Sequence, residues 1–160
     1  MRKALAGILM ICASMAQAEE VVIAALGDSL TQGYGLPQED GFVPQLQDWL
    51  EGEGADVRLI NAGVSGDTTA GGLSRVGWAL GGNDLLRGLD PAQARSNIDG
   101  ILQAAEAADV EVLLIGMQAP GNFGADYKAQ FDAIYPELAE AYGTVYLESF
   151  FAGLVHEGMP

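Results

Sequence analysis

Val110-Glu111-Val112-Leu113-Leu114-Ile115-Gly116-Met117 is the stretch on which the fold turns. Its apolar character is nearly continuous rather than alternating, the pattern of a strand in a parallel sheet covered on both faces. Helical periodicity lies on either side. Before it, Ala94, Ile98, Ile101, Leu102 and Ala105 form one stripe, with Pro91 near the helix start and Asp90 as N-cap. After it, Tyr127, Phe131, Ile134, Tyr135, Leu138 and Tyr142 form a second stripe, in which Pro136 requires a kink or a restart. Val145-Tyr146-Leu147 then reads as a short strand. Nearer the N-terminus, Val21 to Leu26 reads as a buried strand and Val57 to Ile60 as another. Between them Phe42, Val43, Leu46, Trp49 and Leu50 share one helix face. This β-α-β-α alternation predicts an α/β domain of three layers around a mostly parallel sheet. In such sheets ligands bind beyond the carboxyl ends of the strands, so the loops after the strands are the places to search for chemistry.

Composition narrows the function classes. The chain has 160 residues, 22 Asp and Glu against 7 Lys and Arg, and a formal charge of −15. Hydrophobic residues make up 49%, enough to build a core, which argues against an acidic disordered chain. The acidity repels phosphates and disfavours a nucleic-acid partner. One cysteine excludes a disulfide framework, and one histidine excludes any metal site that needs two; no metal or organic cofactor is expected.

Residues 1–18 read as an export signal. Arg2 and Lys3 form a positive region, Ala4 to Met15 an apolar run, and Ala16-Gln17-Ala18 a small-x-small cleavage site. The run is too short to span a bilayer, so no stable membrane anchor is expected, although an uncleaved anchor is the alternative. Cleavage after Ala18 would leave residues 19–160 as one domain, exported to the periplasm or secreted. The cleaved signal takes two of the seven bases with it, so the charge becomes −17.

Three loops after strands stand out. The first is Gly27-Asp28-Ser29-Leu30-Thr31-Gln32-Gly33-Tyr34-Gly35, which can present a serine nucleophile at a strand-to-helix turn. Its spacing is not the G-x-S-x-G elbow of α/β-hydrolases. The second is Asn61-Ala62-Gly63-Val64-Ser65-Gly66-Asp67-Thr68-Thr69, whose glycines let a backbone N–H point into a site. The third is Gly81-Gly82-Asn83-Asp84, an asparagine amide between residues that allow close approach. Taken singly, Gly-Asp-Ser also reads as a turn and N-cap, Ser65 and Asp67 as caps, and Asn83-Asp84 as a plain turn.

Taken together, and with Asp40-Gly41-Phe42, Leu85-Leu86-Arg87-Gly88 and Phe131-Asp132-Ala133-Ile134-Tyr135-Pro136, they resemble the SGNH, or GDSL, hydrolases. The likeness is to the bacterial arylesterase, thioesterase I and lysophospholipase branch, and runs from about Val21 to Glu157. It implies a flavodoxin-like three-layer α/β/α sandwich and a serine ester hydrolase acting on small-molecule acyl esters or thioesters. It assigns Ser29 as nucleophile. The Ser29 backbone N–H, the Gly66 N–H and the Asn83 side-chain amide become an oxyanion hole. Asp28 and Asp67 are expected to tie down their turns, and Asp28 and Asn122 are also carried as candidate substrate contacts. The acyl pocket would draw on the loop from Met117 to Tyr127.

Two departures from the resemblance set further expectations. The family's catalytic Asp-x-x-His occurs nowhere in this sequence; the single histidine, His156, has Gly153 three residues before it. A solvated His156 near the chain end and a substitute Ser29–His156 dyad are the two readings of that residue. A serine without a base is a weak nucleophile, so these 160 residues are expected to be nearly inactive. The second departure is at Leu80-Gly81, where Gly71 to Leu80 reads as a helix running directly into the third loop. A strand is missing before Asn83, unless Val76 to Leu80 is drawn out as a replacement. A non-catalytic remnant that folds or binds acyl ligands, and an electrostatic module for cationic partners, are the readings from other classes. The acidic residues are scattered rather than blocked, which favours ordinary surface solvation over the latter.

Overall fold

The computed structural model describes residues 20–74 and 82–151. The expected signal, the expected helix beyond Ser74 with its Val76–Leu80 alternative, and His156 lie outside the described residues. Strand β1 (Val21–Gly27) is followed by a single helical turn, α1 (Ser29–Gln32), by α2 (Phe42–Gly52) and by β2 (Val57–Gly63). Helices α3 (Thr69–Ser74), α4 (Gly82–Leu86) and α5 (Pro91–Ala107) lead to β3 (Leu113–Ile115). Helices α6 (Ala125–Asp132) and α7 (Ile134–Tyr142) then lead to β4 (Val145–Leu147). Both pairings among the described strands are parallel: β1 with β2 from Val21↔Val57 to Gly27↔Gly63, and β3 with β4 from Leu113↔Val145 to Ile115↔Leu147. Parallel strands joined through helices make this an α/β architecture of the flavodoxin-like kind.

The described strands form two separate pairs, β1–β2 and β3–β4, and no described strand bridges β1 and β3. This corrects the reading of Val110 to Met117 as a strand covered on both faces. Only Leu113–Ile115 is extended and paired, because a ladder is no longer than its partner, and β4 offers three residues. Leu114 is buried but Leu113 is 56% exposed, as is Val21 at the head of β1. The expectation that β1 is wholly buried fails for the same reason: one edge has no described neighbour, and Val21, Val22 and Ile23 remain exposed.

The helices follow their sequence signals more closely. Asp90 caps α5 by accepting from Ala92 N at 2.9 Å, with Pro91 in the first turn where its missing N–H costs nothing. The second stripe breaks at Ala133, and Pro136 falls in the first turn of the restarted helix α7. Helix α2 differs from its pattern. Trp49 is 61% exposed, whereas Gln47 turns toward β2, donating from Nε2 to Val57 O at 2.8 Å and accepting from Leu59 N at 2.6 Å. One amide thereby pairs two of the backbone groups on the edge of β2 that faces away from β1, which would otherwise be open to another strand.

The core lies in the second half of the molecule. Ile98 and Leu102 from α5, Leu114 from β3, Phe131 from α6 and Ile134, Tyr135 and Leu138 from α7 pack into one cluster that reaches Leu85 of α4. Phe131 is fully buried, its ring 6.1 Å from those of both Tyr127 and Tyr135. Burial, and after it the charge of Asp84, holds the Tyr135 phenol well above the ordinary tyrosine range, so it stays protonated. Among the described residues no helix is long and apolar enough to cross a membrane.

Candidate active site

The first of the three loops is built by a tight return of chain onto strand. At Gly27 a Cβ would lie 1.5 Å from Thr31 Oγ1, so only glycine lets α1 fold back against the end of β1. Asp28 is the N-cap of α1: its Oδ1 accepts from Leu30 N at 3.0 Å, and the residue is buried. Ser29 is the first residue of that turn and is partly exposed.

The second loop is fastened to the first at three points. Val64 N donates to Gly27 O at 2.9 Å, Ser65 N to Gln32 Oε1 at 2.8 Å, and Asn61 Nδ2 to Thr31 O at 3.0 Å. Gly66, at the exposed tip, has φ +80°, a left-handed conformation that glycine adopts without strain. Its carbonyl accepts from Arg87 Nη2 at 2.9 Å. Three described cations stand in ion pairs: Arg58 with Glu20, Arg95 with Glu137 and Lys128 with Asp132. Arg87 instead spends its guanidinium on this turn.

The third loop meets both others through Asn83. Its Nδ2 donates to Asp67 O at 2.6 Å and lies 3.4 Å from Asp28 Oδ2. One amide thus touches the carboxylate beside Ser29 and the carbonyl beside Gly66, drawing the three loops together. Asp28, expected both to tie down its turn and to meet substrate, directs one carboxylate oxygen at Leu30 and the other toward Asn83. Asn122 stands elsewhere, exposed in the short turn Gly121–Phe123 after β3. That loop nevertheless reaches toward the third one: the rings of Phe123 and Tyr127 lie 5.1 Å apart, and Tyr127 OH donates to Leu89 O at 2.9 Å.

Beside Asn83 lies a buried polar network that sequence spacing does not mark. Asp84 and Thr69 are almost wholly buried, and each oxygen of the Asp84 carboxylate accepts from Thr69, Oδ2 from the backbone N at 2.8 Å and Oδ1 from Oγ1 at 2.6 Å. Asn97 Nδ2 donates to Thr69 Oγ1 at 2.8 Å, and Gln93 Nε2 to Asn97 Oδ1 at 3.0 Å. The available signals were Thr68-Thr69 directly after Asp67 and an aspartate directly after Asn83, both of which also fit plain turns. Among the described residues no group of three or more His, Cys, Asp or Glu side chains is arranged to hold a metal ion.

Such an arrangement offers an accessible hydroxyl at a helix start beside a glycine turn and a buttressed amide donor. Residues 25–158 match the model of the GDSL-like lipase/acylhydrolase family. Esterase TesA of Pseudomonas aeruginosa is 38% identical, the alignment covering 94% of this chain and 81% of that protein. Thioesterase 1/protease 1/lysophospholipase L1 of Escherichia coli K12 is 36% identical over 78% of this chain, spanning 64% of its own length. The crystal structure of AlinE4, described as an SGNH-hydrolase family esterase, superposes with a TM-score of 0.81 at 42% identity, covering 91% of this chain and 87% of that one.

Proposed function

The chain belongs to the GDSL-like lipase/acylhydrolase family, and on that premise we propose that Ser29 is the nucleophile of a hydrolase for small acyl esters or thioesters. Ser29 Oγ attacks the acyl carbonyl, an acyl-enzyme forms, and water releases the acid. The Ser29 N–H, the Gly66 N–H and the Asn83 amide hold the developing oxyanion, and such donors must be fixed before the reaction to be effective. The observation that carries this reading is the single amide of Asn83, which contacts Asp67 O in the second loop and Asp28 in the first. Of its two contacts the 3.4 Å one toward Asp28 is the weaker, leaving that N–H the freer to turn to an oxyanion.

Among the described residues nothing hydrogen-bonds to Ser29 Oγ, and the sequence holds no Asp-x-x-His. We take the 160-residue polypeptide to be nearly inactive as a hydrolase, with a Ser29–His156 dyad as the second reading. Prolonged incubation with a fluorophosphonate is expected to give a slow adduct, located on Ser29 by peptide mass analysis and lost in Ser29→Ala. No adduct, or one on another residue, would remove Ser29 from this role. Fast labelling that His156→Ala abolishes would establish the dyad.

The positive, apolar and small-x-small order of residues 1–18 supports export to the periplasm or medium. Protein recovered from outside the cytoplasm is expected to begin at Glu19. An intact N-terminus on that material would instead mean that the segment is retained.

A further inference from the structure

We propose that Thr69, acting through Asp84, is a positioning residue that sets the direction of the Asn83 amide; this rests on the reading of Asn83 as an oxyanion donor. Helix α4 is five residues long, too short to hold its own shape, and no described strand leads into it. Its apolar attachment is slight: Leu85 is buried, but Leu86 is 80% exposed. Its polar attachment is dense. Asn83 and Asp84 grip residues two apart in the second loop, Asn83 the Asp67 carbonyl and Asp84 both donors of Thr69.

The direction of these bonds is determined. Gln93 Nε2 donates to Asn97 Oδ1, which leaves Asn97 Nδ2 facing Thr69 Oγ1 as a donor. The Thr69 hydroxyl accepts that bond and has one proton, which the 2.6 Å contact assigns to Asp84 Oδ1. Gln93 and Asn97 stand one turn apart on the long helix α5, so the chain Gln93–Asn97–Thr69–Asp84 ties the five-residue α4 to a helix of seventeen residues. Asp84 adjoins Asn83, and fixing its carboxylate fixes the backbone from which the Asn83 side chain springs. Buried polar networks of this kind hold one arrangement only while every member is satisfied. Removing the Thr69 hydroxyl leaves Asp84 Oδ1 and Asn97 Nδ2 without partners in a closed space, and the helix must shift to relieve them.

Thr69→Val removes the hydroxyl and keeps the shape, whereas Thr69→Ser restores it. Without a general base, ester hydrolysis by this chain reads out the oxyanion hole and binding alone, which makes it a sensitive probe. For p-nitrophenyl acetate, Thr69→Val is expected to lower kcat about 10-fold with KM within about twofold, and Thr69→Ser to restore it. In 15N spectra the Asn83 side-chain amide pair is expected to move in Thr69→Val and to stay in Thr69→Ser. Should Thr69→Val fail to fold, Asn97→Ala, which frees the hydroxyl to rotate, is expected to move the same resonances. Unchanged Asn83 resonances in a folded Thr69→Val or Asn97→Ala protein overturn the proposal. So does a change in KM alone, or a Thr69→Ser protein as impaired as Thr69→Val. Failure to form the Ser29 adduct counts against the nucleophile and leaves Thr69 to be judged by the Asn83 resonances.

Discussion

A polypeptide of these 160 residues is expected to hydrolyse p-nitrophenyl acetate on the order of 10⁴–10⁶-fold more slowly than a serine hydrolase with a complete triad. A serine hydroxyl is protonated at neutral pH and attacks slowly unless a base removes its proton as the bond forms. The carboxylate adjoining Ser29, that of Asp28, is engaged by Leu30 N and faces Asn83, so it is bound to its own turn. What would persist is the oxyanion hole proposed for the Ser29 N–H, the Gly66 N–H and the Asn83 amide, with whatever binding the loops supply. His156→Ala is expected to change the residual rate by less than about twofold, and Asn83→Ala to take away most of it. A stopped or continuous assay of nitrophenolate release settles the matter. Turnover within tenfold of a complete triad enzyme, abolished by His156→Ala, would defeat this expectation and make the dyad the mechanism.

Phe131→Ala is expected to destabilise the fold by about 3–5 kcal/mol, measured as a fall in the urea midpoint. Phe131 has no exposed surface and joins the aromatic run from Tyr127 to Tyr135 at the centre of the core. Truncation leaves a cavity that helices α5 and α7 can fill only by moving. Since domains of this size hold roughly 5–15 kcal/mol in total, the loss is a large part of the whole. The first half of the molecule has little core of its own to compensate: Val43 is its one buried large apolar residue among those described. Trp49→Ala supplies the contrast. Despite its larger ring, Trp49 is mostly exposed and its removal is expected to cost less than about 0.5 kcal/mol. Equal midpoints for Phe131→Ala and the unaltered chain would show that the core is not centred on this ring.

The sequence was most legible where the cause of structure is local. Asp90-Pro91 specifies the start of α5 through a cap and a fixed φ, and Pro136 forces the division between α6 and α7. The glycine, asparagine and serine pattern of the three loops was legible for another reason, because close backbone approach and a neutral amide donor are chemical requirements with few substitutes. The pattern of α2 misled at Trp49, since apolar periodicity does not reveal that an edge strand needs its backbone groups paired and that Gln47 can do it.

By itself the sequence determined the α/β class, the order of its elements and the family. Only the tertiary structure decided how far its strands extend. Val110 to Met117 has strand character throughout, but a strand is as long as the ladder it finds, and β4 supplies three partners. Nor could spacing reveal that Asp84, beside Asn83, is bonded to Thr69. Those residues lie fifteen positions apart, and their bond exists because folding brings a short helix against the second loop and excludes water from between them.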